Sequence, residues 1–174
     1  MSLAPLIMET NLDNIKKLSK EREDENWGFR SYLKGYDVPD KKIDSLVHDL
    51  NKKISSAIDC RKCMNCCKKL RSILDNGDIE KLSQSLNISA DGFKAKYLVK
   101  DEEEQGFKFN VIPCPFLKND GCSCYEHRPK ACASFPHLHK KRFVTRLIGV
   151  IENCSVCPIV FNVYERLKEE IWVR

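Results

Sequence analysis

The stretch that most constrains this chain is Asp59-Cys60-Arg61-Lys62-Cys63-Met64-Asn65-Cys66-Cys67, which places four thiols within eight residues and has Met64 as its only apolar member besides them. Read as one helix, 3.6 residues per turn aligns Cys60, Cys63 and Cys67 in a stripe with Cys66 at its edge. Read as a loop, the overlapping C-x-x-C steps give the short spacing by which neighbouring thiolates reach one tetrahedral metal or one iron–sulfur cluster. Both readings suit a metal. Cysteines used as small buried hydrophobes explain single thiols well, but not four flanked by Lys62, Lys68, Lys69 and Arg71.

Further cysteines follow in groups. Cys114-Pro115-Phe116-Leu117 comes first, then Gly121-Cys122-Ser123-Cys124-Tyr125-Glu126-His127-Arg128-Pro129-Lys130-Ala131-Cys132, which ends at Phe135-Pro136. The prolines and the glycine predict an irregular, tightly turned segment that draws distant thiols together. His137 and His139 follow, and with so many thiols at hand they read as outer or surface groups. Cys154-Ser155-Val156-Cys157-Pro158 adds a third C-x-x-C.

Ten cysteines in 174 residues fall below the roughly 8–10% of a small disulfide scaffold. The N-terminal Ser2–Met8 stretch lacks the basic flank and apolar length of a secretory signal, and no apolar run approaches a membrane span. The expected setting is a reducing cytoplasm, where clustered cysteines bind metals or do chemistry. The formal charge of +5 counts every cysteine as a neutral thiol. Eight thiolates with two zinc ions would bring it to about +1. Lys and Arg are mixed with Asp and Glu, and no aromatic residues interleave with a basic stripe, which argues against nucleic acid as a partner.

Along the chain, residues 9–26 predict a charged surface helix. Trp27, Phe29, Tyr32, Leu33 and Tyr36 then predict an aromatic turn broken by Gly28 and Gly35. A second helix opens at Asp37-Val38-Pro39-Asp40 with Ile43, Leu46, Val47, Leu50, Ile54 and Ile58 on one face, and delivers the chain to Cys60. His48 reads as an ordinary boundary residue. After Cys67 helix is expected to continue to Leu74, with Asn76-Gly77 as a turn or helix end. Short helices are predicted over 78–86 and 89–99, an acidic turn over Asp101–Gly106, and a strand over Phe107–Val111. Arg142–Ile151 suits either a strand or a buried helix. Residues 158–172 predict a closing helix.

The fold class is therefore mainly α, with a small α+β arrangement as the variant: one metal-stapled helical domain with irregular cysteine-rich loops and one short β element. Within it, 1–57 form an N-terminal helical segment, 58–160 the cysteine-cluster region and 161–174 the C-terminal helix.

The cysteine motifs resemble those of the bacterial zinc- or iron-chelating proteins of the YkgJ type, a family that includes the flagellin lysine N-methylases. The resemblance rests on C-R-K-C-M-N-C-C at 60–67, C-P-F-L at 114–117, G-C-S-C-Y-E-H-R-P-K-A-C-A-S-F-P at 121–136 and the C-P step at 157–158. It implies eight metal ligands: Cys60, Cys63, Cys66, Cys67, Cys114, Cys122, Cys132 and Cys157. Cys124 stands where the family usually has an aliphatic residue, and Cys154 has no counterpart. Tyr125 and Arg128 match the family's Y-x-x-R-P, where the arginine would donate hydrogen bonds to thiolate sulfurs.

Eight thiolates suit two Cys₄ zinc sites, or a 4Fe-4S cluster with a zinc, and sulfur ligation disfavours calcium and magnesium. Two functions remain. One is a metal-binding module with closed cysteine sites and a surface for a protein partner. The other is an iron–sulfur enzyme performing methyl transfer, as the methylase branch suggests. Against the enzyme, the glycines are dispersed and form no phosphate-binding loop.

Overall fold

The computed structural model describes residues 8–102 and 106–172. In chain order the helices are α1 (Leu12–Glu21), α2 (Glu23–Gly35), α3 (Asp40–Ser55), α4 (Cys60–Cys63), α5 (Asn65–Lys69), α6 (Asn76–Ser85), α7 (Ala90–Tyr97), α8 (Lys130–Ser134), α9 (Leu147–Cys154) and α10 (Pro158–Ile171). The strands are β1 (Ile73–Leu74), β2 (Leu98–Asp101), β3 (Gly106–Phe109), β4 (Leu117–Lys118) and β5 (Gly121–Cys122). The fold is mainly α, as the sequence predicts. None of the helices among the described residues is long and apolar enough to cross a membrane. The chain forms two compact units, one up to Asp59 and from Pro136 onward, the other Cys60–Phe135. The region read as 58–160 thus contributes to both.

The first unit is built on α10. Pro158 occupies its first turn, where the missing N–H costs nothing, and Ile159, Val160, Phe161, Val163, Tyr164 and Leu167 are all buried. α3 packs on it, presenting Ile43, Val47, Leu50 and Ile54 at helical spacing, each burial contributing about 1.5–3 kcal/mol. Polar groups drawn into this interior are paired. Asn162 exchanges hydrogen bonds with the Glu9 backbone, and the Tyr164 hydroxyl donates to the Asn26 carbonyl at 3.1 Å.

In this unit one expectation is corrected and one left open is decided in favour of helix. The aromatic segment is not a turn: the helix restarts after Arg22 and carries Trp27–Gly35 inside α2. Phe29 stacks on Trp172 at 5.2 Å and meets Tyr164 edge-on at 5.3 Å, and this packing outweighs the weak helix propensity of Gly28. Arg142–Ile151 resolves as a 3-10 turn at Phe143–Arg146 leading into α9. The buried carboxylate of Asp44 on α3 accepts from the backbone N–H groups of Arg142 and Phe143 at 2.8 and 2.9 Å, satisfying the donors that a helix start leaves open.

In the second unit, β3 is central in an antiparallel sheet of order β1-β3-β2, with Ile73 opposite Lys108 and Leu98 opposite Phe109. α6 and α7 cover it, and Leu74, Ile79, Leu82, Phe93, Leu98, Phe109 and Phe116 form the core. Helix does not continue through 68–74. Leu70 turns extended and Ile73-Leu74 joins the sheet. Asn76-Gly77 opens a helix instead of ending one, because Asp75 and Asp78 form a reciprocal capping box at the start of α6. The one expected β element becomes two small sheets among the described residues: β1, β4 and β5 have two residues each, too short to show alternation, and β2 takes over where the helix predicted over 89–99 ends at Tyr97. In the acidic turn, Glu103, Glu104 and Gln105 lie outside the described residues, as do the N-terminal residues 1–7.

Candidate metal centre

The first motif is not one helix. Met64 adopts a left-handed conformation (φ 51°), which ends α4 after a single turn and starts α5 in a new direction. The break redistributes the predicted stripe: Cys60 is exposed on α4, Cys63 is half-buried at its end, and Cys66 and Cys67 are half-buried side by side on α5. The Cys66 and Cys67 sulfurs are 4.0 Å apart.

Backbone hydrogen bonds bring the later cysteines to this segment. The Cys114 N–H donates to the Cys67 carbonyl at 2.8 Å, directly after a cis Ile112-Pro113 peptide. Cys114 accepts in turn from the Leu117 N–H at 3.0 Å, closing a turn into β4. β4 pairs with β5, so Leu117 faces Cys122. Gly121, at φ 130°, takes a conformation that side-chain-bearing residues rarely adopt and lies beside the Arg61 carbonyl, 4.0 Å from where a Cβ would stand. Cys132 rides on α8, whose first N–H, that of Lys130, donates to Asp78 at 3.0 Å. Asp78, 3% exposed, therefore anchors both α6 and the helix that bears a thiol.

These thiols act on one another. Cys114 lies within electrostatic reach of Cys67, Cys122 and Cys132, and burial, chiefly, pushes its thiol up to about 11. Cys67 is lowered to about 7, mainly by its hydrogen bond with Cys66, against the opposing effect of burial. Cys122 is lowered to about 6, mainly by its hydrogen bond with Cys124 at 3.6 Å, with Arg128 helping. Much of the Cys132 residue is exposed, yet the protein around its sulfur desolvates the thiol and raises its pKa, while a hydrogen bond with Ser72 opposes this. Two sulfurs are thus inclined to be thiolates near neutral pH, each steadied by a neighbouring S–H.

The arginine of the Y-x-x-R-P motif stacks rather than standing alone. Its guanidinium lies 3.8 Å from the Tyr125 ring centre, and Arg61 approaches the same ring at 5.1 Å. Tyr125 so holds two cations next to the thiol-bearing segments, favouring negative sulfur.

Cys157, the eighth cysteine, belongs to the first unit and is buried at the N-terminal boundary of α10. Its N–H donates to the Asn153 carbonyl at 2.8 Å. Cys154, on α9 in the same unit, is 1% exposed, and burial drives its thiol far up. His139 is exposed. His137 is half-buried, takes a left-handed backbone (φ 63°), and has its imidazole lowered to about 4 by burial and neighbouring positive charge. His48 is half-buried on α3.

Sequence reasoning missed two contributors. Asp78 as anchor of α8 had no local signal, because its partner Lys130 is remote in the chain. Cys124, outside the implied ligand set, did carry one, the C-x-C step that keeps it two residues from Cys122.

All ten cysteines are thiols. Among the described residues no three Cys, His, Asp or Glu side chains are already closed into a ligand set. The donor set nonetheless fits a soft or borderline metal. Zinc–sulfur bonds of 2.3 Å in a tetrahedron set sulfurs about 3.8 Å apart, and the pairs at 3.6 and 4.0 Å bracket that edge. Against known proteins, the family model CxxCxxCC, described as "Putative zinc- or iron-chelating domain", matches residues 59–157. Neither a curated protein nor a solved structure matches the chain.

Proposed function

The chain belongs to the CxxCxxCC family, and from that premise we propose that it is a thiolate metal-binding module in which Cys60, Cys63, Cys66, Cys67, Cys114, Cys122, Cys132 and Cys157 hold zinc or iron. The observation that carries this reading is the mutual approach of Cys67, Cys114, Cys122 and Cys132, which come from separate stretches of sequence. Packing alone gives no reason to gather like groups whose charged forms repel. A cation supplies one.

The bound metal would supply positive charge and fixed geometry, and the protein's residues do the rest. Cys67 and Cys122 offer sulfurs already near their thiolate form, while Cys114 and Cys132 give up protons on ligation, making affinity rise with pH. Tyr125 orients Arg128 and Arg61 so that the accumulated sulfur charge is partly offset. Sulfur donors select zinc or iron over calcium and magnesium. Such a site requires reduced thiols, which a reducing cytoplasm maintains.

Anaerobic purification with metal and sulfide analysis tests the reading. A closed module gives colourless protein with about two zinc ions per chain and no inorganic sulfide. Brown protein containing iron and acid-labile sulfide would instead mark an iron–sulfur cluster and open the route to methyl-transfer chemistry. Finding no metal, with the thiols free and the fold intact, would overturn metal binding altogether.

A further inference from the structure

Cys124 falls outside the family's eight-cysteine pattern, and burial as a small hydrophobe would explain its 7% exposure. Its geometry asks for more. Cys122 ends β5, and Ser123 and Cys124 form the turn that follows it, with Cys124 at φ −120°, ψ 34° just before a 3-10 turn at Tyr125–His127. Ser123 is exposed, with its N–H and hydroxyl both donating to the Phe116 carbonyl at 2.9 and 3.1 Å. The β4–β5 pairing of Leu117 with Cys122 fixes one end of the step. The His127 N–H bonded to the Cys124 carbonyl at 2.9 Å fixes the other. Held this way, the Cys122 and Cys124 sulfurs stand 3.6 Å apart, close to the roughly 3.8 Å edge of a tetrahedral zinc–thiolate site. Cys114 and Cys132 lie within electrostatic reach of Cys124 as well. Its sulfur therefore faces the other thiols as well as the apolar core formed by Leu82, Phe93 and Phe116.

We propose that Cys124 is a metal ligand, and that Cys122 and Cys124 together grip one ion as a C-x-C chelate. The inference rests on the metal-binding reading above and adds a donor that the family pattern lacks. On ligation the Cys124 S–H bond breaks, a sulfur–metal bond forms and the proton passes to solvent, with no change of oxidation state. Because the two donors stand two residues apart, with β4–β5 pairing fixing Cys122 and the His127 N–H fixing the Cys124 carbonyl, little chain entropy is lost when the second sulfur binds.

Cobalt(II) titration of the reduced, metal-free chain under anaerobic conditions provides the test, comparing wild type with Cys124→Ala, Cys124→Ser and Cys154→Ala. Both Cys124 variants should lose thiolate-to-cobalt charge-transfer intensity, and apparent affinity should fall by more than the roughly 10–100-fold that loss of an outer-shell partner costs. Cys154→Ala should keep both. Circular dichroism of each variant establishes that it is folded. Cadmium-loaded wild-type protein avoids mutation, and scalar coupling between the metal nucleus and the Cys124 Hβ protons is expected there. Undiminished charge transfer in folded Cys124→Ala, or coupling to Cys122 without coupling to Cys124, overturns the proposal and leaves the metal-binding reading standing. A wild-type chain that takes up neither ion defeats both.

Discussion

The backbone N–H of Cys114 donates to the carbonyl of Cys67 at 2.8 Å, so two cysteine groups far apart in the sequence are joined by the main chain itself. A metal held by both groups would close the loop between them and stabilise the second unit by mass action. At free metal about a thousand times Kd the gain is about 4 kcal/mol. Chelator treatment of reduced protein should therefore lower the melting temperature by more than about 10 °C for a unit of this size. Hydrogen-exchange mass spectrometry over 60–135 assigns the loss to the second unit. Unchanged exchange there after verified metal removal would contradict the prediction.

Thiol reactivity in the metal-free protein should follow the unequal environments of the sulfurs. Cys122 and Cys67 have pKa values lowered to about 6 and about 7, and Cys114 is raised to about 11. As pH falls from alkaline, Cys114 is protonated first and Cys122 last. Alkylation followed by peptide mass spectrometry should thus show Cys122 and Cys67 labelled at pH 7.5 while Cys114 lags. The sign carries over to folding: the lowered groups contribute stability that is present above pH 9 and is lost as pH falls through about 7 for Cys67 and about 6 for Cys122. Equal labelling of all three at pH 7.5 would refute the ordering.

Much of this arrangement was legible in the sequence, and the remainder was hidden for identifiable reasons. α3 and α10 show strict helical spacing because each buries one face, and both lie close to where periodicity puts them. The break at Met64 was invisible, since nothing about a methionine announces a left-handed backbone. Asn76-Gly77 misled because the same dipeptide serves a turn or a capped first turn, and the deciding Asp75–Asp78 pair lies on either side of it. Aromatic residues around Gly28 were legible as a packing group, but their partner Trp172 sits at the far end of the chain. At the site, the motifs named the thiols. Which of them meet depended on Gly121, the backbone bond from Cys114 to Cys67 and the short β4–β5 pairing, all set by tertiary context.

Gly28 itself offers a test of the α2 assignment. A Cβ added there would meet Trp172 at 3.5 Å, an ordinary van der Waals contact. Gly28→Ala should then stabilise the protein by about 0.5–1 kcal/mol, the usual gain from replacing glycine within a helix. Chemical denaturation checks this, and a loss of stability would argue that the segment is a turn after all.

Asp78 links α6 to α8 and so links the fold to Cys132. Its carboxylate accepts from the backbone N–H groups of Asp75 and Lys130 at 3.3 and 3.0 Å. Asp78→Ala should cost about 1 kcal/mol, because two hydrogen bonds are lost and their donors are left unpaired in a partly buried place. Metal affinity should fall as well, by the roughly 10–100-fold typical of residues that hold a ligand in position. Asp78→Asn retains one acceptor and should recover part of both losses. Urea titration reads the first effect and competition with a zinc chelator the second. Loss of stability with affinity untouched would separate Asp78 from the metal centre.

In the first unit the corresponding test is Lys168, which is 5% exposed and has every ammonium donor matched. Its Nζ contacts Glu25 at 3.0 Å, Glu165 at 2.5 Å and the Asn26 side-chain oxygen at 2.8 Å, and Glu165 is shared with Arg22. Three donors meeting three acceptors is the full capacity of an ammonium. Removing it leaves Glu165 and Glu25 facing each other across a partly desolvated space, so Lys168→Ala should cost about 3–5 kcal/mol. Lys168→Met keeps an aliphatic stem below the place where the ammonium lies over the Tyr164 ring, 5.6 Å from its centre, and should lose less, so that the difference between the variants measures the packing share. Urea midpoints interpreted at unchanged m-value provide both numbers. If Lys168→Ala stays within about 1 kcal/mol of wild type, desolvation of the ion network cancels its attraction and the apolar face of α10 alone holds the helix in place.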